Sequence, residues 1–275
     1  MKTSLSLLLT LVVALLLILF TLFPIIWLLS SSLKTREAIF ASPPQWIPNP
    51  PTLASYQEVF TIRPYGRIIL NSMIIGISTV LLSLFVATPA AYALARLRMK
   101  WKTPLFMLLL SPFLFPTYTI ICPLYLIIRS LGWINTYQGL IFPYTSFSIP
   151  LAVWLLTMYM STLPKELDDA ARVDGCSDLI ILTKIILPLS APGLATAGLL
   201  VFMGTWVEFM LALTFTVNEQ AQTMPVAIGS FYGRYSLPWG EISAASIIAI
   251  IPLAVIVILF QRYLIGGLTQ GAVRG

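Results

Sequence analysis

Apolar runs long enough to cross a bilayer alternate along this chain with short polar stretches. Six such runs can be read, at 5–29, 68–95, 104–128, 140–160, 191–215 and 242–260. About 20 apolar residues in a helix span a hydrocarbon core of roughly 30 Å. The pattern therefore predicts an all-α membrane protein with six transmembrane helices. It reads as one transmembrane domain over 1–275, with 68–262 as its core. The first run resembles the apolar part of a secretory signal, but it is too long and lacks a small-residue cleavage site, so it reads as a retained span.

The polar stretch 163–190, between the fourth and fifth runs, breaks the pattern. It carries eight charged side chains, Lys165, Glu166, Asp168, Asp169, Arg172, Asp174, Asp178 and Lys184. Placing all eight in hydrocarbon would cost on the order of 20 kcal/mol, so the stretch is expected outside it, in water or against a partner. Pro164 suits a first helical turn, and Glu166, Asp168 and Asp169 sit near the positive end of the helix dipole. Leu163, Leu167, Ala170 and Ala171 fall on one face. Gly175 can turn left-handed, Ser177 can cap a second helix, and Pro188 is expected to halt it. The expectation is a helix, a sharp turn and a second helix at the membrane surface. The same pattern fits an amphipathic hairpin lying at the interface with no partner.

The basic residues then orient the spans. With both termini cytoplasmic, ten lysines and arginines fall inside (Lys2, Arg96, Arg98, Lys100, Lys102, Lys165, Arg172, Lys184, Arg262 and Arg274) and six outside. The cluster RLRMK after the second run is the clearest inside marker. The charged stretch 163–190 is thereby cytoplasmic. Outside lie a proline-rich segment around ASPPQWIPNPPT, a short connection at 130–139, and a longer one at 217–241 that mixes polar, glycine and aromatic residues. That last composition fits either a contact surface or a solvated loop.

Composition narrows the chemistry. The chain has 275 residues, 58% hydrophobic and 9% charged, with a net charge of +6. No separate soluble domain is expected within these residues. With no histidine, the commonest metal ligand and general base are missing. Cys122 and Cys176 have neither the CxxC spacing of a zinc site nor that of a disulfide framework. No metal site is expected. The basic residues are scattered among spans, which argues against nucleic acid. The chain contains no GxxxxGK[ST], HExxH or GxSxG, so it is expected to be no enzyme and to hydrolyse no nucleotide itself.

Asp169-Ala170-Ala171, three residues, Gly175, nine residues, then IILP resembles the EAA signature of membrane subunits in ATP-binding-cassette (ABC) importers. PGLATAGLLVFMGTWVEFMLALTF, TMPVAIGSF, QRYLIGGLTQGAVRG and PPQWIPNPPTLASYQEVF extend the likeness over nearly the whole chain. Together they resemble the maltose-type (MalG-like) permeases of the carbohydrate uptake family. Asp169 stands where that family usually has glutamate, and Val207 where asparagine is common.

The resemblance implies a type I importer (MetI-like) fold in a bacterial or archaeal plasma membrane, with a cytoplasmic coupling helix between spans 4 and 5. It implies that Asp169, Ala170, Ala171 and Gly175, with Arg172 and Asp174, dock on a cytoplasmic ATPase, and that the tail 271–275 reaches it too. It implies a second homologous permease subunit, an ATPase dimer holding ATP and Mg, an extracytoplasmic solute-binding protein and a sugar-like solute. Asn218, Gln222, Tyr232 and Tyr235 would face the binding protein. No cofactor is expected on this chain.

Glu208 is the one carboxylate well inside an apolar run and so a functional candidate. It could order the helix junction, line the pathway or pair with another subunit. Trp206, Phe209 and Met210 could offer flat apolar faces to a sugar, or simply pack. An ion-coupled secondary transporter is the alternative, with Glu208 as its obvious ion-binding group.

Overall fold

The computed structural model describes residues 2–114, 116–231 and 237–269. Among the described residues every regular element is helical. In chain order the α-helices are α1 (Lys2–Ser32), α2 (Arg36–Ile39), α3 (Ala54–Ile62), α4 (Tyr65–Arg96), α5 (Lys102–Leu110), α6 (Ile121–Ser130), α7 (Gln138–Thr162), α8 (Glu166–Val173), α9 (Asp178–Ile180), α10 (Leu187–Leu189), α11 (Ala191–Val207), α12 (Met210–Phe215), α13 (Met224–Gly229) and α14 (Trp239–Thr269).

Four helices are long and apolar enough to cross a membrane, within α1, α4, α7 and α14, and the number rises to six if each of two bent pairs, Lys102–Leu114 with Tyr118–Ser130 and Asp178–Leu189 with Ala191–Val207, is one span. The bent pairs depart from the expected straight spans. The run 104–128 is interrupted: α5 tightens into a 3₁₀ turn at Ser111–Leu114, a second 3₁₀ turn follows at Thr117–Ile120, and the two halves make an angle of 79°. Pro112 and Pro116 flank the break, and neither can donate the backbone hydrogen bond that a continuous helix needs. The run 191–215 is interrupted as well, with α11 ending at Val207 and α12 starting at Met210.

Two compact units result. One comprises 1–66 and 227–252, the other 67–226 and 253–275. In the first, the apolar side chains of α1 are open to the surroundings, with Leu8, Leu16 and Phe20 among those more than half exposed, as befits a lipid-facing helix. Its end is fixed by Trp27, which packs edge-on against Trp46 and carries the Lys34 ammonium 4.3 Å above its ring. Arg36 bridges Glu58 and the buried Glu241, joining α2, α3 and the start of α14.

The second unit is built on α4, α7 and α11. Ala87, Ala91 and Ala95 recur every four residues on α4 and are buried among Ala152, Leu156 and Ala197. Small side chains at this spacing let helix backbones approach closely, the usual basis of packing in lipid. At Gly193 the approach is close: a Cβ there would lie 2.5 Å from the Tyr159 ring.

Candidate functional site

The charged elbow begins where α7 ends. Leu163 is extended (ψ 144°), and α8 starts at Glu166 with Lys165 as its N-cap, so Pro164 lies just before the first turn in which the sequence placed it. The Arg96 guanidinium, at the last position of α4, donates to the Leu163 and Pro164 carbonyls, both at 2.7 Å. It also pairs with Asp168 at 2.6 Å. Both side chains are almost wholly buried, 1% and 5% exposed. Asp168 is thus a correction to the expectation that all eight charges face water or a partner. Its cost of burial is offset by a buried cation, the condition under which such a charge is tolerated.

The rest of α8 divides by face. Ala171 is buried, while Asp169, Ala170, Arg172 and Asp174 are exposed and Val173 is 88% exposed. The alanine pair therefore splits, Ala171 packing inward and Ala170 facing outward. The helix closes as the glycine predicted. Gly175 has φ +81°, its N–H donates to the Arg172 carbonyl, and the Cys176 N–H donates to the Ala171 carbonyl at 2.9 Å. This paired pattern is the Schellman stop, which satisfies the last helical carbonyls. Arg172 bridges the turn to Asp178 at 3.0 Å and lies 3.7 Å from Asp169. The hydrogen bond to Asp178 raises the Arg172 pKa above its ordinary value.

Beyond the turn, Ser177 occupies the cap position in extended conformation, but its side chain makes no capping hydrogen bond. The second helix ends at Leu189, one residue past the Pro188 stop expected from sequence. Before it the helix widens to a π-helical turn at Ile181–Ile186, where the Leu187 N–H reaches back to Leu182. The helix then bends by 77° into α11. At the bend the Ser190 N–H donates to Ile186 and the Leu194 N–H to Ser190, both at 2.8 Å. The elbow thus passes into α11 through a hydrogen-bonded bend and not a loose linker.

A second feature lies along α11. Glu208 sits in the break between α11 and α12, where the first N–H groups of α12 lack helical partners. One carboxylate oxygen accepts from the Leu211 N–H at 2.9 Å, the other from the Ala212 N–H at 3.1 Å and from the Tyr144 hydroxyl at 2.6 Å. Glu208 is therefore the cap of a broken helix. It also lines a cavity of about 550 Å³ with Tyr118, Tyr144, Phe147, Ser148 and Thr205. Trp206, Phe209 and Met210 do not line this cavity. Trp206 is buried and stacked on Phe202 at 5.4 Å, Phe209 packs against the cluster around Phe215, and Met210 is 38% exposed.

The segment after α12 is pinned by two asparagines that hydropathy did not single out. Asn135, at φ +62°, accepts from the Val217 and Asn218 N–H groups, and Asn71, buried in α4, donates to the Glu219 and Gln222 carbonyls. Of the four residues expected to face a binding protein, Asn218 is exposed, whereas Gln222 is buried, which corrects its reading as a surface contact. Tyr232 and Tyr235 lie outside the described residues, as does the tail 271–275. Among the described residues no group of histidine, cysteine and carboxylate side chains could hold a metal ion.

Residues 87–270 match the family described as the binding-protein-dependent transport system inner membrane component. The chain belongs to that family. The permease is 41% identical to the trehalose/maltose transport system permease protein MalG of Thermococcus litoralis, over 95% of each chain. It is 39% identical to the sulfoquinovosyl glycerol transport system permease protein SmoH of Agrobacterium fabrum, over 92% of this chain and 89% of that one. Its fold matches a crystal structure of a bacterial ABC transporter involved in the import of the acidic polysaccharide alginate, with a TM-score of 0.80 at 22% identity, covering 95% of this chain and 97% of the other. The methionine ABC transporter MetNI matches with a TM-score of 0.58 over 73% of this chain and 94% of that one. The type I importer fold expected from sequence is thereby established.

Proposed function

We propose that this permease is one of two homologous membrane subunits of an ABC importer that moves a sugar or sugar-like solute. A solute-binding protein delivers the solute outside. Two copies of a cytoplasmic ATPase, which hold ATP and Mg, drive the alternation between outward and inward openings. The permease binds no cofactor and catalyses no reaction. Both termini and the elbow lie on the cytoplasmic side of a bacterial or archaeal plasma membrane, where Asp169, Ala170 and Val173 dock in the ATPase.

The observation that carries this reading is the construction of α8. Its docking face is exposed while its base is locked to α4 by Arg96, so a push on that face moves α4, α7 and α11 together. The cavity beside Glu208 is this subunit's wall of the solute pathway, with tyrosine and phenylalanine faces suited to stacking on sugar rings. An ion-coupled mechanism is not favoured, because the Glu208 carboxylate is engaged by three protein donors.

Uptake of labelled trehalose or maltose into proteoliposomes holding the full importer tests the function. ATP-dependent uptake that requires the binding protein is expected. Uptake that persists without ATP and collapses with an ion gradient would overturn the reading.

A further inference from the structure

Beside the elbow lies a polar cleft of about 740 Å³, between the end of α4, the start of α5 and α8. Five basic side chains line it, Arg96, Arg98, Lys102, Lys165 and Arg172, against three acidic ones, Asp168, Asp169 and Asp178. The acids are already engaged: Asp168 pairs with Arg96, and Asp178 and Asp169 with Arg172. Arg98, Lys102 and Lys165 are exposed, and among the described residues none of them pairs with a carboxylate. The cleft therefore presents uncompensated positive charge.

Its position says which anion fits. It sits between the end of α4 at Arg96 and the start of α5 at Lys102, where one apolar span gives way to the next and the membrane–water interface is expected. Trp101, 71% exposed, stands at that boundary, the preferred depth of tryptophan in a bilayer. From it α5 continues with Leu105, Met107 and Leu108 exposed by 47%, 66% and 69%. A basic cleft that opens onto an exposed apolar helix matches a molecule with an anionic head and hydrocarbon tails.

We propose that this cleft binds the phosphodiester headgroup of an anionic phospholipid, with Arg98, Lys102 and Lys165 facing the phosphate and α5 supporting the acyl chains. Basic pockets between spans on the cytoplasmic side recognise anionic headgroups by this chemistry. The bound lipid braces the elbow from its flank and leaves the outward face of Ala170 and Val173 free. The inference relies on the proposed orientation only for which leaflet supplies the lipid. Retention in micelles does not depend on the leaflet, so the two readings fail separately.

The test is a titration of the assembled importer, in a detergent without sugar or charge, with palmitoyl-oleoyl phosphatidylglycerol, the matching phosphatidylcholine, or glycerol 3-phosphate, followed by native mass spectrometry. The phosphatidylglycerol is expected to bind in preference to the other two. A variant carrying Arg98→Gln, Lys102→Gln and Lys165→Gln is expected to weaken it by about fivefold per removed charge, on the order of 100-fold in all. These side chains are exposed, so assembly and thermal stability of the variant are expected to match the parent, and a variant that fails to assemble is replaced by the three single substitutions, each read for its own fivefold loss. Equal phosphatidylglycerol affinity in parent and variants would overturn the proposal. So would equal binding of phosphatidylcholine, or glycerol 3-phosphate binding as tightly as the lipid, which would mark the cleft as a site for a free anion.

Discussion

Arg96, the last residue of α4, and Asp168, in the first turn of α8, form a buried ion pair of 2.6 Å. The same guanidinium holds the carbonyls of Leu163 and Pro164, so one side chain fixes the exit of α7 and the entry of α8 together. A charged elbow on an oily protein is thereby joined to its spans at a defined angle.

Removing one partner leaves the other charge buried and uncompensated. Asp168→Ala and Arg96→Ala are each expected to destabilise the permease by about 3–5 kcal/mol. Replacing both with apolar residues of similar volume is expected to cost less than the two single changes summed. A double-mutant cycle on thermal unfolding in detergent checks this, and additive losses would show that the pair is not coupled.

Glu208 separates capping from proton carriage. Glu208→Gln keeps an acceptor for the α12 N–H groups and is expected to retain most ATP-driven uptake. Glu208→Ala strands two donors and the Tyr144 hydroxyl, and is expected to lose about 1–3 kcal/mol of stability together with uptake. The readout is uptake against thermal stability for both variants. Loss of uptake in the glutamine variant at full stability would point to a titrating role.

Gly175 is required for its backbone and not for space. Nothing lies within 4 Å of a Cβ added there, yet φ is +81°. Gly175→Asn, which tolerates this conformation, is expected to be milder than Gly175→Val, where the left-handed turn costs about 1–2 kcal/mol or more. Circular dichroism melts and ATP-dependent uptake rank the two.

At Gly193 the reason is contact. A Cβ would meet the Tyr159 ring at 2.5 and 2.8 Å, so even Gly193→Ala forces α7 and α11 apart. A loss of about 1–3 kcal/mol is expected. Gly193→Ala combined with Tyr159→Leu is expected to recover part of it, as measured by thermal stability.

Much of this architecture was legible in the residues. Hydrophobic run length located the spans, and the Asp169–Gly175 spacing located the elbow, because both depend on neighbours a few positions apart. What was not legible depends on distant partners. Hydropathy assigns Arg96 to topology and Asp168 to water, and only the fold brings them together. Asn71 and Asn135 clamp the segment 217–222 by contacts between elements, and Gln222 is buried for the same reason. The breaks at Pro116 and Glu208 were hidden because an apolar average does not register an interrupted hydrogen-bond ladder. Trp206 could line the path or pack, as far as its residue type tells, and its stacking on Phe202 places it in the packing.

The central claim is that the exposed face of α8 seats in the ATPase and drives the spans. Ala170→Trp tests it most directly, since Ala170 faces outward and a large side chain there obstructs docking without entering the core. The measurement is co-purification of the ATPase with the variant permease, alongside its partner subunit. The account predicts that the two membrane subunits still assemble while the ATPase no longer co-purifies and uptake is lost. Full recovery of the ATPase with undiminished ATP-driven uptake would contradict it.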